Sequence, residues 1–305
     1  MKSVLVLLSS YNGESFIKEQ IDSVLCQSNV DVSILIRDDG SKDSTVELIT
    51  SLYGNDSRLS IIKGQNSGSA MSFMDLICKA AALDVRYDYY AFCDQDDVWK
   101  KDKFHTAVDV LDKQPQDKPA MYMGAYQMVD SSLNTIPTHL ISPRLNLPSA
   151  LATNTATGCT MVFNKSMLDI LASKKPQNFI MHDYWAYLVC LSVGGFVYYD
   201  ENPFILYRQH NHNVIGGRGD SFIKKWSVRL AKMFRRGDCF KSKLATELLR
   251  CYSEYMSKDD IEFLTAAATC KRISSKYKLL SNPLFRGKTK DNDIQNFVLV
   301  LTGKF

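Results

Sequence analysis

Apolar positions follow two rhythms along this chain, and the change between them divides it. Up to about Asn211, short and nearly continuous apolar runs alternate with segments whose apolar residues recur every three to four positions. Residues 4–8, 32–36, 59–62, 89–93 and 121–128 read as strands, and residues 14–26, 43–53, 71–82 and 100–111 read as amphipathic helices. Beyond Arg218 the strand signals fade. Residues 221–236, 241–256 and 259–280 show helical spacing, broken at Gly237-Asp238 and Ser257-Lys258. The alternating part predicts an α/β fold, a mostly parallel sheet with helices on both faces. A boundary near Gly216-Gly217-Arg218-Gly219 gives a unit over 1–216 and a basic, mainly helical extension over 217–305.

Ligands of such sheets bind in the crevice beyond the carboxyl ends of the strands. The most polar, turn-like motifs fall there: Ser9-Ser10-Tyr11-Asn12-Gly13, Arg37-Asp38-Asp39-Gly40-Ser41, and Asp94-Gln95-Asp96-Asp97. The last of these places three carboxylates within four positions. They repel one another unless a cation sits among them, and Mg²⁺ or Mn²⁺ takes oxygen ligands from carboxylates and substrate phosphates. The plainer reading is an acidic turn capping the helix that starts near Trp99. A carboxylate at Asp38 or Asp39 can accept from a base edge or a ribose hydroxyl, while Ser41 or Asp43 caps the following helix. No G-x-G-x-x-G follows the first strand and no G-x-x-x-x-G-K-[ST] occurs, which disfavours nicotinamide dehydrogenases and P-loop nucleotidases.

Composition narrows the picture further. With 305 residues and 45% hydrophobic content the chain can bury a full core. The apolar run at residues 4–8 is too short for a leader and reads as a buried strand. No stretch approaches the ~20 apolar residues of a membrane span. Eight scattered cysteines without a C-x-x-C pair suggest reduced thiols and a cytoplasmic setting, not structural zinc. Residues 1–219 hold 19 basic and 24 acidic side chains, whereas residues 220–305 hold 18 and 9. A basic tail suits an anionic membrane surface or a solvated helical face, and residues 221–236 have the composition of an interfacial helix. Nucleic acid is not expected, because neither stacking aromatics nor a basic recognition motif accompanies the charge.

Taken in order, Ser10-Tyr11-Asn12-Gly13, Asp38-Asp39-Gly40-Ser41, Asn66-Ser67-Gly68, Phe92-Cys93-Asp94-Gln95-Asp96-Asp97-Val98-Trp99, Thr157-Gly158-Cys159, His182-Asp183-Tyr184-Trp185 and Tyr207-Arg208-Gln209-His210 closely resemble the family 2 inverting glycosyltransferases of GT-A fold, the rhamnosyltransferase-like members in particular. The resemblance covers residues 3–216. It implies a Rossmann-like GT-A domain and transfer of a sugar from a nucleotide-sugar donor, dTDP-rhamnose or a UDP-sugar, to a glycan or polyprenyl-linked acceptor in bacterial surface polysaccharide synthesis. It further implies that Ser9, Ser10 and Tyr11 line the nucleotide pocket, that Asp39 holds the base edge with Asp38 orienting it, and that Asn66 and Gly68 approach the donor. Asp94 would face the ribose, and Asp96 and Asp97, unranked, would hold Mn²⁺ or Mg²⁺ together with His210. Arg208 would meet the diphosphate. Asp183 would be the general base that an acceptor hydroxyl needs, although an Asp there also suits a helix N-cap. Cys159 reads as a buried thiol. The alternatives are a sugar-1-phosphate nucleotidyltransferase, for which the glycine-rich basic loop after the first strand is missing, and an inactive donor-binding relative. The implied location is the cytoplasm, peripheral on the inner face of the plasma membrane.

Overall fold

The first apolar run lies at the centre of the sheet in the computed structural model, which describes residues 1–138, 140–179, 181–209 and 239–305. Strand β1 (Lys2–Ser10) pairs in parallel with both β2 (Val30–Asp38) and β4 (Tyr89–Cys93), and β3 (Leu59–Lys63) extends the sheet beyond β2. Both faces of β1 are covered, so residues 4–8 are buried without alternation, as a parallel central strand requires. The seven-stranded order is β3-β2-β1-β4-β8-β6-β9, where β6 is Ala120–Gly124, β8 is Val162–Asn164 and β9 is Phe196–Asp200. Only β8 runs antiparallel to its neighbours.

Two apolar layers follow from the pleat. Val4, Val6 and Leu8 pack with α1 (Ile17–Leu25), α2 (Thr45–Tyr53) and α4 (Lys103–Leu111). Leu5 and Leu7 point the other way, into a layer built by α3 (Ser69–Ala81), α5 (Leu147–Ala152), α6 (Lys165–Ser173) and α7 (His182–Ser192). Helix α7 is buried on nearly all sides, because α8 (Phe240–Tyr252) closes over its outer surface. Leu248 and Tyr252 of α8, Leu264 of α9 (Lys258–Ala268), Leu279 of α10 (Ile273–Ser281) and Val300 of α11 (Lys290–Thr302) belong to this same layer.

The sequence-derived outline changes in three places. The run expected as one strand over 121–128 breaks after Gly124, where Ala125 donates to the Asp200 carbonyl at 2.8 Å. Its second half, β7 (Gln127–Val129), joins a small separate sheet with β5 (Val98–Trp99) and β10 (Ile205–Arg208). The helix expected over 259–280 is interrupted between Ala268 and Ile273 and forms α9 and α10. Strands β8, β9 and β10, with helices α5, α6 and α11, escaped the periodicity because each is short or partly exposed.

Leu248→Ala removes a fully buried side chain at the seam between α8 and α7, and is expected to lower stability by about 2–5 kcal/mol in urea unfolding. A chain cut after residue 216 leaves Trp185 and Leu188 uncovered, and is expected to be recovered as insoluble protein.

Candidate active site

The three polar turns leave the sheet on one edge because their strands end in register. Ser10 lies opposite Asp38 across β1 and β2, and Leu8 opposite Cys93 across β1 and β4. Gln95 ties two of the turns together: its Oε1 accepts from the Tyr11 amide at 2.7 Å and its Nε2 donates to the Tyr11 carbonyl at 3.0 Å. The Tyr11 ring is exposed, Ser10 is buried with its hydroxyl on Asp38, and Ser9 shares a 2.6 Å hydrogen bond with Ser72 of α3.

The two acids after β2 are both engaged by their own chain. Asp38 accepts from the Gly40 amide at 3.1 Å, from the Ser41 amide at 2.9 Å and from the hydroxyls of Ser10 and Ser41. Asp39 accepts from Arg37, from the Ser67 amide and hydroxyl, and from the Gly68 amide at 2.9 Å. Burial alone would raise the pKa of Asp39, but the Arg37 guanidinium and these amides outweigh it and hold the carboxyl below its ordinary value. A carboxylate offers about four lone-pair sites, so Asp39 is filled by the chain itself. Its role therefore differs from the expected grip on a base: it shapes the loop carrying Asn66, Ser67 and Gly68, in which Gly68 adopts φ +82° and Asn66 is exposed.

The acidic turn after β4 is bridged to β10. Asp97 is 1% exposed; its Oδ1 accepts from the Arg208 amide at 3.1 Å and the Cys159 thiol donates to the carboxylate, while Oδ2 is buried without a partner. Arg208, expected on a diphosphate, is committed to the protein. Its Nε donates to the Asp96 carbonyl at 2.9 Å, its other nitrogens donate to the Ser131 carbonyl and to Glu19, and its guanidinium lies 4.5 Å from the Phe16 ring. Its fork thus braces the acidic turn against α1. Lys103 is buried 3.7 Å above the Trp99 ring, and burial brings its pKa down to about 7.

Asp183 enters from the opposite side, in the first turn of α7, and Met181 caps the helix. Its Oδ2 accepts from the Gly158 amide at 3.1 Å and its Oδ1 from the Tyr184 amide at 2.6 Å. Burial nonetheless pushes its pKa up to about 6. His182 stacks on Phe73 with ring centroids 3.6 Å apart and stands edge-on to Phe92, and burial holds it neutral with a pKa near about 3. Gly158 is required here, since a Cβ would sit 2.6 Å from His182 Nε2.

These acids share one field. Burial pushes Asp94 well above the carboxylate range, with Asp96, Asp97 and Asp183 adding repulsion, and burial and Asp96 push Asp97 up to about 7. Asp94, Asp96 and Asp97 thus lie close together, and Asp183 is near enough to Asp94 for their charges to interact. His210 and residues 221–236 lie outside the described residues. Sequence reasoning missed Gln95, Lys103, Glu19 and Tyr207, whose phenol burial and the neighbouring acids push up. The glutamine within the acidic turn was the one visible signal.

Ligand atoms of Asp94, Asp97 and Cys159 lie within 4.8 Å of one another, and Asp97 Oδ2 is an orphaned buried acceptor. Crowded carboxylates of raised pKa are what a hard divalent cation relieves. The residues fit such an ion.

A twisted sheet of this order, with an acid-lined crevice at the carboxyl ends of its strands, is that of a GT-A glycosyltransferase. The sequence pattern of Glycosyl transferase family 2 matches residues 5–170, and the chain belongs to that family. It is 31% identical over 227 residues to the dTDP-rhamnosyl transferase RfbG of Shigella flexneri, covering 68% of this chain and 73% of the relative. It is 27% identical over 230 residues to the putative teichuronic acid biosynthesis glycosyltransferase TuaG of Bacillus subtilis, covering 74% and 86%. Among solved structures, S. aureus TarS 1-349 in complex with UDP-GlcNAc superposes with TM-score 0.58 at 14% identity, over 98% of this chain and 81% of that one. The mannosyltransferase PcManGT from Pyrobaculum calidifontis, in complex with GDP-Man and Mn²⁺, gives 0.52 at 14%, over 99% and 80%.

Arg208→Met removes the buried guanidinium and leaves the part-buried carbonyls of Asp96 and Ser131 without their donor, and is expected to cost about 1–3 kcal/mol of stability. Arg208→Lys should recover only part of this in urea titrations, because an ammonium cannot span these partners.

Proposed function

We propose that this enzyme transfers a sugar, rhamnose from dTDP-rhamnose first among the candidates and a UDP-linked sugar second, to a hydroxyl of a surface polysaccharide or its lipid-linked precursor, with inversion at the anomeric carbon. The donor assignment is supported by the likeness to RfbG, and the polysaccharide setting by the likeness to TuaG. One observation carries the chemical reading: Asp183 stands across the crevice from Asp94, close enough for their charges to interact, and is poised with a pKa of about 6.

The roles divide by side. Tyr11, the loop of Asn66 to Gly68 and Asp94 form the donor side, with Ser9, Ser10, Asp38 and Asp39 fixing their backbone. Asp183 forms the acceptor side. Its carboxylate takes the hydroxyl proton as the new glycosidic bond forms, and the two amides that hold it fix its direction. Asp96, half-exposed, and Asp97, whose Oδ2 has no partner, are the residues proposed to hold a divalent cation, together with Asp94 and His210. Bound there, Mn²⁺ or Mg²⁺ supplies charge neutralisation for the departing nucleoside diphosphate.

Release of dTDP, UDP or GDP from the matching sugar donors tests the reading, and absence of acceptor-dependent release from every donor would sink it. Asp183→Asn is expected to lower turnover by about 10²–10⁴ with donor affinity kept. The base must be ionised to act, so activity should rise with pH through about 6 and be lost below it, and this limb should be absent from the residual activity of Asp183→Asn. Asp96→Ala should flatten the Mn²⁺ titration of turnover, and an unchanged metal response would remove Asp96 from the ligand set.

A further inference from the structure

We infer that the outer face of α10 and α11 docks on an anionic phospholipid bilayer. While their inner residues Leu279 and Val300 are buried in the core, the outer ones are bare: Ile273 is 86% exposed and Tyr277, one turn on, 74%. On α11, Ile294, Phe297 and Leu301 recur at helical spacing and are each about half exposed. Lys276 Nζ donates to the Leu301 carbonyl at 2.7 Å, which sets the two helices side by side.

The charge of the surrounding surface selects the occupant. Residues 271–290 contain seven Lys or Arg and no Asp or Glu; Lys278 is paired with Glu262, and Asp291 and Asp293 of α11 offset two more, which leaves the patch net cationic. Lys271 and Arg272 lead directly into Ile273 and border a cavity of about 500 Å³. The two cations at its border suit a phosphate headgroup. Apolar side chains standing out of a cationic rim match the two layers of an anionic leaflet, acyl chains beneath charged headgroups. A protein partner would match the apolar part but would need a strongly acidic ring around it.

This surface lies apart from the transfer chemistry and its test does not use it. The full chain is sedimented with phosphatidylcholine vesicles and with vesicles containing phosphatidylglycerol. Binding is expected only to the anionic vesicles, and to fall with added salt. The pairs I273D/Y277D and K271E/R272E should each reduce binding by about tenfold or more, whereas Leu52→Asp, on the distant exposed face of α2, should not. All substituted residues are exposed, and unchanged melting temperatures verify the fold. Wild-type binding that is absent, equal on neutral vesicles, or unaltered in both pairs would overturn the assignment. So would a change of oligomeric state in I273D/Y277D at unaltered vesicle binding, which would make this face a contact between copies.

Discussion

Acids gathered at one sheet edge set the terms for everything else in this protein. Taking a carboxylate out of water is costly unless donors replace the lost hydration. The chain meets that cost unevenly. Asp38 and Asp39 are surrounded by backbone amides, hydroxyls and Arg37, and become rigid parts of the frame. Asp94 and Asp97 have repulsive neighbours instead, and their pKa values are driven up. The division is physical: a carboxylate filled by its own chain has little left to offer a ligand, while one destabilised by its neighbours gains most from a cation or donor.

The proposed donor and acceptor sides are also mechanically joined. Residues 157–160 form a tight turn in which Gly158 donates to Asp183 and Cys159 donates to Asp97, so two neighbouring residues fix acids on opposite walls. His182 wedges against Phe73 of α3 and Phe92 of β4, which sets the start of α7 against the sheet. A shift of α7 would therefore move the proposed base relative to the donor. Close positioning of this kind is where much of the rate advantage of a transfer enzyme arises.

Most of this fold was legible in the sequence because its central strands are buried on both faces and flanked by amphipathic helices, which is the pattern periodicity detects. The short strands β8 and β10 were not, since three or four residues carry no period. The motifs of Asp94, Asp96 and Asp183 were visible because they sit at the ends of strongly patterned elements. Assigning Asp39 and Arg208 to ligand did not match their surroundings, and the reason is physical: sequence names a donor or acceptor but not whether its capacity is already used. Partners of Arg208 lie at residues 19, 96 and 131, far apart in the chain, and only the folded structure brings them together.

The C-terminal helices connect that machinery to the outside. Glu247 of α8 is buried and accepts from Arg250 and from the Gln177 amide at 2.6 Å, anchoring the segment that leads into α7. Trp185 of α7 packs against Tyr252 of α8 with ring centroids 6.1 Å apart. Helices α9 to α11 then stack outward from α8 within one apolar layer. Because close-packed interiors transmit displacement and do not absorb it, the exposed surface of α10 and α11 is held in a fixed relation to Asp183. A surface with that property would orient the proposed acceptor side toward whatever the outer helices rest upon, through the packing of the described helices.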